Sequence, residues 1–251
     1  MSVARTEIMA VLNEWLEPGA FNDYCPNGLQ VEGCGQVSHV VSGVTASMAL
    51  IEQAIEQKAD ILLVHHGYFW KGEAPGLVGM KYRRIKALID NNINLVAYHL
   101  PLDFHQELGN NASLAQKLDF SITGQFGGGT KPLGMVGELS KVMTGSELAQ
   151  HISKRLGRMP QHIAANKLIK TVAWCTGAAQ NYIDEAITVG VDAYISGEIS
   201  EPTVHSAREG GVHYFGAGHH ATESFGVQCL GEKLAQTFDI KHTFIDVPNP
   251  V

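Results

Sequence analysis

The sequence contains few cysteines and no paired cysteine motif. Four occur in 251 residues, at Cys25, Cys34, Cys175 and Cys229, and none forms a Cys-x-x-Cys pair. A thiolate zinc site or a dithiol redox motif is therefore not expected. In a reducing compartment these side chains are expected to be free thiols, most of them buried.

Long apolar runs are also missing. No segment approaches the roughly 20 consecutive apolar residues that a membrane span requires. The first residues, Met-Ser-Val-Ala-Arg-Thr-Glu, lack the apolar core of a secretory signal. We therefore expect a cytoplasmic protein with no membrane partner.

Positive charge is scarce. Eighteen lysines and arginines stand against 25 acidic residues, which gives a formal net charge of −7. This balance argues against extended contacts with a phosphate backbone and hence against a nucleic-acid partner. Hydrophobic residues make up 45% of the chain, an ordinary globular proportion. The length suffices for one large domain or two smaller lobes.

The apolar residues alternate between two patterns along the first half of the chain. Helical spacing occurs over residues 7–16, 47–57 and 81–91, and short apolar or β-branched runs occupy 37–44, 61–64 and 93–98. From residue 37 onward the order is strand, helix, strand, helix, strand, and the strands are apolar on both faces. This pattern predicts the α/β class with mostly parallel, buried strands.

A similar pattern recurs in the second half. Residues 40–66 shifted by 132 positions fall on 172–198, with apolar positions and the strand-helix-strand order retained. At an offset of 120, His99-x-x-x-Asp103 falls on His219-x-x-x-Glu223. Any two strand-helix-strand units could resemble each other to this extent, but we prefer a duplication. It predicts two similar lobes, 1–125 and 126–251, which can exchange terminal elements, with residues 126–134 as a turn-rich connector.

Twelve histidines are many for this length, and their positions suggest metal binding. His65-His66-Gly67 follows a predicted buried strand, and the glycine permits a turn that could direct both rings toward neighbouring ions. Taken alone, a surface pair or a hydrogen-bonded pair is the more common explanation of two adjacent histidines.

Two further segments add carboxylates. His99-Leu-Pro-Leu-Asp103 follows the next predicted strand, and it could equally be a proline turn capped by an aspartate. His219 and Glu223 would lie one turn apart on a helix that begins near residue 221, where they could instead serve as cap and dipole partners.

Three such segments together favour a metal centre over the separate explanations. Histidine and carboxylate ligands suit zinc, iron, manganese or nickel, and they exceed what one tetrahedral ion needs. Two divalent ions roughly 3.5–4 Å apart would use them all. This arrangement is typical of metal-assisted hydrolysis.

The same residues resemble the Nif-three-like family, also called dinuclear metal centre proteins or homologues of GTP cyclohydrolase I type 2. The matching segments run in order along nearly the whole chain: 27–33, 65–67, 99–103, 196–198 and 218–223. The resemblance implies two similar α/β lobes that face each other around a dinuclear site, and assembly as a ring-shaped homohexamer. Longer members carry an inserted domain, for which this chain is too short.

The resemblance also implies residue roles. It places metal ligands at His65, His66, Asp103, His219 and Glu223. His99 is implied as a further ligand or a proton-transfer group. Glu198 is a candidate general base or a partner that orients a ligand histidine, and it could equally be a structural partner.

The implied function leaves several alternatives open. The family name indicates ring opening of GTP, with metal-bound hydroxide attacking the guanine, so GTP or another nucleotide is the expected small-molecule substrate. A protein that stores or delivers metal is one alternative, and a ring-shaped interaction module with structural metals is another.

Overall fold

The computed structural model describes residues 2–251 and divides them into two compact units. The first comprises the described residues up to Gly109 together with Gly226–Val247, and the second comprises Asn110–Phe225 together with Pro248–Val251. The first unit is built on a mostly parallel sheet and the second on a mixed sheet with a parallel centre, which confirms the predicted α/β class.

The helices and strands of the first unit follow in chain order. They are β1 (Val3–Ala4), α1 (Arg5–Leu16), β2 (Gly28–Val31), β3 (Gln36–Val37), β4 (His39–Thr45), α2 (Met48–Glu56), β5 (Ile61–His66), α3 (Gly79–Asp90), β6 (Asn94–Ala97) and α4 (Leu100–Phe104).

The second unit contributes the next ten elements. They are α5 (Asn110–Lys117), β7 (Phe120–Phe126), β8 (Gly134–Met143), α6 (Gly145–Leu156), β9 (Gln161–Ile163), β10 (Ile169–Cys175), α7 (Ile183–Val189), β11 (Ala193–Ser196), α8 (Glu201–Glu209) and β12 (His213–Gly216). The long helix α9 (His219–Phe238) begins in the second unit and ends in the first, where β13 (Lys241–Phe244) follows.

The main sheet of the first unit has the strand order β13-β4-β5-β6-β2. All neighbours are parallel except β2, which runs antiparallel to β6. Alternate residues of β5 point to opposite faces, so Leu62 and Val64 pack against α2 and α3 while Ile61 and Leu63 pack against α1 and α9. Cover on both faces explains why β5 carries an uninterrupted apolar run.

The main sheet of the second unit has the order β7-β8-β10-β11-β12-β9, with a parallel centre of β10, β11 and β12. Trp174 and Ile195 pack in one core with α6, and Tyr194 and Tyr214 pack in the core on the other face with α7 and α8. Helix α6 begins with a capping box, in which the Thr144 hydroxyl accepts from the Glu147 backbone N–H.

The sheet registers agree with the predicted duplication. Val40 pairs with Ile61 in the first unit, and Val172 pairs with Ala193 in the second. Val172 and Ala193 lie 132 positions after Val40 and Ile61, which is the same offset that relates the two sequence segments. An antiparallel strand also lies beside the third parallel strand in each unit, β2 beside β6 and β9 beside β12.

The boundaries of the units differ from the predicted lobes 1–125 and 126–251. Residues 126–134 do not connect the units, because β7 and β8 form an antiparallel hairpin within the second unit. Glycine and proline mark hairpin turns and linkers alike, so composition could not distinguish them. The chain then returns to the first unit, where β13 pairs with β4.

The strand that carries the adjacent histidines also extends further than expected. Residues 65 and 66 are the last two of β5 rather than the start of the following loop, because Thr45 of β4 pairs with His66. Among residues 2–251, no helix is both long and apolar enough to cross a bilayer.

Candidate metal centre

In the first unit, His65 and His66 form the carboxyl end of β5, and His99 and Asp103 follow the carboxyl end of β6. This edge of a parallel sheet is where α/β proteins bind ligands. His65 is fully buried, and its Nδ1 lies 2.9 Å from the carbonyl oxygen of Tyr98. His66 is half-buried, and its Nδ1 lies 3.1 Å from the Thr45 hydroxyl. With Nδ1 engaged in each ring, Nε2 is the nitrogen that can bind a metal.

His99 joins these two histidines. One ligand nitrogen from each of His65, His66 and His99 lies within 4.8 Å of the other two. The Nδ1 of His99 is 2.7 Å from Asp23 Oδ1, and its backbone N–H donates to Asn27 Oδ1 over 2.7 Å. Side chain and backbone are therefore both fixed by the loop that precedes β2, with Nε2 again available to a metal or a proton.

Asp23 is ionised and firmly held. Burial raises its pKa, but hydrogen bonds from His99 and Asn27 more than offset this and hold the pKa below its ordinary value. Its second oxygen accepts from the Leu100 N–H over 2.9 Å. Cys25 lies near Asp23 and His99, and burial together with the Asp23 charge raises the pKa of its thiol to about 12. Without a metal, this thiol is protonated at neutral pH.

Asp103 supplies an oxygen donor next to the same histidines. It lies in the short helix α4, where its backbone N–H donates to the carbonyl of His99 over 3.1 Å. Its Oδ1 is 3.5 Å from His65 Nε2, and the residue is only 7% exposed. A buried carboxylate near imidazole nitrogens fits a divalent cation, because a cation balances the charge that burial would otherwise destabilise.

In the second unit, the candidate ligands His219 and Glu223 lie one turn apart at the start of α9. The helix begins at His219, two residues earlier than predicted. His219 Nε2 is 3.0 Å from Glu223 Oε2, and Nδ1 is 2.7 Å from Glu198 Oε1. Glu198 is therefore hydrogen-bonded to the imidazole of His219.

The acidic neighbours change the proton affinity of His219. Burial lowers its pKa, but hydrogen bonds and charge interactions with Glu223 and Glu198 outweigh burial and raise the pKa to about 9. Without a metal, His219 is therefore a cation at neutral pH. The two carboxylates stabilise whichever positive charge occupies this position, a proton or a metal ion.

A glycine leaves the space that Glu223 occupies. Gly177 has φ +69, and a Cβ at this position would lie 2.0 Å from Glu223 Oε1 and 3.2 Å from His219 Nε2. Neither Gly177 nor Asp23 was identified as a candidate from the sequence. A single glycine or aspartate after a turn carries no specific signal, whereas a His-x-x-x-carboxylate spacing does.

Comparison with known proteins identifies the family of the chain. The family model described as Duf34/NIF3 (NGG1p interacting factor 3) matches residues 3–250. The chain belongs to this family. A "GTP cyclohydrolase 1 type 2 homolog" of Pseudomonas aeruginosa is 53% identical over 251 residues, which cover 100% of both chains. A protein of the same name from Vibrio cholerae is 57% identical over 248 residues, 98% of each chain.

Solved structures show the same fold. A structure titled "Structural genomics, protein ybgI, unknown function" is 50% identical with a TM-score of 0.96, covering 99% of this chain and 100% of its own. The structure of a Thermus thermophilus protein, TTHA1606, is 31% identical with a TM-score of 0.91, at the same coverage.

The side chains of this Duf34/NIF3 chain suit divalent metal. Four histidines, His65, His66, His99 and His219, each have Nδ1 beside an oxygen partner. That pattern is typical of metal-ligating histidines, because the partner fixes the ring and makes Nε2 a stronger donor. Histidine and carboxylate groups of the chain can therefore hold metal ions.

Proposed function

We propose that the protein is a dinuclear metal-dependent hydrolase that acts on a nucleotide or a related heterocycle, with GTP as the first candidate substrate. His65, His66, Asp103, His219 and Glu223 would hold two divalent ions, drawn from zinc, iron, manganese and nickel. A homohexamer in the cytoplasm is part of the same proposal. The observation that carries it is the fixed Nδ1 of every histidine in the candidate set.

Bound divalent ions would act as Lewis acids and lower the pKa of water toward neutrality. The chain's own residues would supply orientation and proton transfer. Asp23 accepts a hydrogen bond from His99 Nδ1, which leaves Nε2 to take a proton. Glu198 fixes the ring of His219. We therefore assign proton transfer to His99 and a supporting role to Glu198.

Turnover of GTP tests the proposal. Protein loaded with each candidate ion should consume GTP, and Asp103→Ala should reduce kcat/KM by at least about 100-fold because a buried ligand oxygen is lost. Product formation can be followed by chromatography, with circular dichroism as the check on folding. Asp90→Ala is a matched control, because Asp90 is an exposed residue of α3 that pairs with Lys86.

The outcomes separate the candidate functions. Equal loss in both aspartate variants would contradict a specific role of Asp103. Absence of turnover across purine and pyrimidine nucleotides with any of the four ions would overturn the hydrolase. Readily exchangeable metal in that case would instead favour storage or delivery.

We expect metal binding to weaken as the pH falls. The folded-state pKa of His219 is raised to about 9, so near pH 7 a metal must displace its proton. Apparent affinity should rise by up to about tenfold per pH unit between pH 6 and 9 and then level off. Calorimetry in buffers of different ionisation enthalpy should detect about one released proton. Pairing with Glu198 raises this pKa, so Glu198→Gln should weaken the dependence of metal affinity on pH. A metal affinity independent of pH would contradict the assignment of His219 as a ligand.

A further inference from the structure

Three aromatic side chains, Tyr24, Phe69 and Trp70, lie on the loops beside the first unit's histidines, and we call them the aromatic rim. The ring centroid of Trp70 is 5.0 Å from that of His99 and 5.9 Å from that of His66. The ring of Tyr24 meets His99 edge-on at 6.5 Å. The proposed function assigns no role to any of the three.

The two loops that carry the rim are joined to each other. The Lys71 N–H donates to the carbonyl of Tyr24 over 2.6 Å. The Gln30 side chain accepts from the Tyr68 N–H over 2.7 Å and donates to the Pro26 carbonyl over 2.8 Å. The backbones of the two loops are therefore tied together, which favours a preformed binding surface.

The loop after β5 keeps an unfavourable backbone conformation. Phe69 has φ +65, a left-handed value that bulky residues rarely adopt. Its ring lies under the Lys81 ammonium at 4.9 Å, and Lys81 also pairs with Glu73 at 3.3 Å. Glu73 in turn accepts from the Trp70 N–H over 3.1 Å. Such strain persists where surrounding contacts maintain it, and it is concentrated at ligand sites.

Two members of the rim are exposed and the third is half-buried. Tyr24 leaves 61% of its surface open and Phe69 leaves 37%. Trp70 is half-buried, and its indole N–H donates to the Gly67 carbonyl over 3.2 Å. Because this N–H already has an acceptor, we do not assign it a hydrogen bond to a ligand. What these side chains offer a ligand is aromatic surface. Flat heterocycles bind to such surfaces by stacking or by edge contact.

We propose that Trp70 and Tyr24 are specificity-determining residues that hold the flat ring of a heterocyclic substrate beside His66 and His99. The placement of the reacting part of the substrate rests on the proposed function. Recognition of the ring by the rim does not, because it depends on aromatic surface and not on metal. Binding of the ring should therefore be measurable in metal-free protein.

Equilibrium dialysis with purine and pyrimidine nucleosides tests the proposal, with ribose 5-phosphate as the probe that lacks a ring. Metal-free and metal-loaded protein should bind at least one nucleoside and bind ribose 5-phosphate much more weakly. Trp70→Leu should weaken nucleoside binding on the order of tenfold or more, and Trp70→Phe should restore much of it. Trp15→Phe is the control, since Trp15 packs with the core between α1 and the sheet.

The results test ring recognition by the aromatic rim independently of the proposed hydrolase activity. Nucleoside binding that is lost in Trp70→Leu supports the rim even if no nucleotide is turned over. Turnover with an unchanged KM in Trp70→Leu would overturn the proposed role of the aromatic rim, but it would leave the proposed hydrolase function intact. Absence of nucleoside binding, or equal binding of ribose 5-phosphate, would also overturn it. Thermal unfolding shows whether each variant is folded, and Tyr24→Leu repeats the test at a more exposed position.

Discussion

Replacing His65 with alanine should remove most of the bound divalent metal. His65 lies at the end of β5, fully buried, with its ring fixed by the Tyr98 carbonyl and its Nε2 3.5 Å from Asp103 Oδ1. Loss of a residue that supports a metal ligand can lower metal affinity by roughly 100-fold. Loss of the ligand itself should lower metal affinity by at least as much. Elemental analysis after dialysis and calorimetric titration measure the number of ions and their affinity.

His39→Ala is the matched control for this variant. His39 is also a buried histidine of the first unit, but it lies in β4 and bonds to the Gln57 carbonyl and the Thr243 hydroxyl. We expect His39→Ala to lower the free energy of unfolding while metal content is retained. If both variants lose metal equally, general destabilisation is the cause. If neither loses metal, His65 is not a ligand.

The sequence could predict the candidate ligands because their signals are local. A histidine pair at the end of an apolar strand, and a carboxylate four positions after a histidine, are visible within a few residues. The α/β class followed from the same kind of signal, since buried parallel strands read as short apolar runs.

The partners of these ligands could not be predicted in the same way. The Thr45 hydroxyl contacts His66 because β4 and β5 pair in one particular register. The Tyr98 carbonyl contacts His65 although the two residues are 33 positions apart in the sequence. Asp23 is 76 positions from His99. Such contacts are set by the fold as a whole, and neither spacing nor composition records them. The composition of residues 126–134 predicts a connector for the same reason, because only strand pairing identifies the hairpin.

Gly177→Ala should damage the second unit's ligand pair far more than an ordinary glycine substitution. Two costs apply. An L-residue at φ +69 is strained by about 1–2 kcal/mol. The new Cβ would also lie 2.0 Å from Glu223 Oε1, in a place where Glu223 is only 2% exposed and has little room to retreat. The carboxylate should therefore be displaced from its position 3.0 Å from His219 Nε2.

Gly190→Ala separates these two costs. Gly190 ends α7 at φ +83, and a Cβ there meets no heavy atom of residues 2–251 within 4 Å. It should therefore lose only about 1–2 kcal/mol through backbone strain and keep its metal affinity. Gly177→Ala should lose a similar or greater amount of stability and, in addition, at least about tenfold in metal affinity because a ligand is misplaced. Chemical denaturation measures the first effect and calorimetric titration the second. Equal metal affinities in the two variants would show that the position of Glu223 does not control metal binding, and Glu223 would then have to be removed from the ligand set.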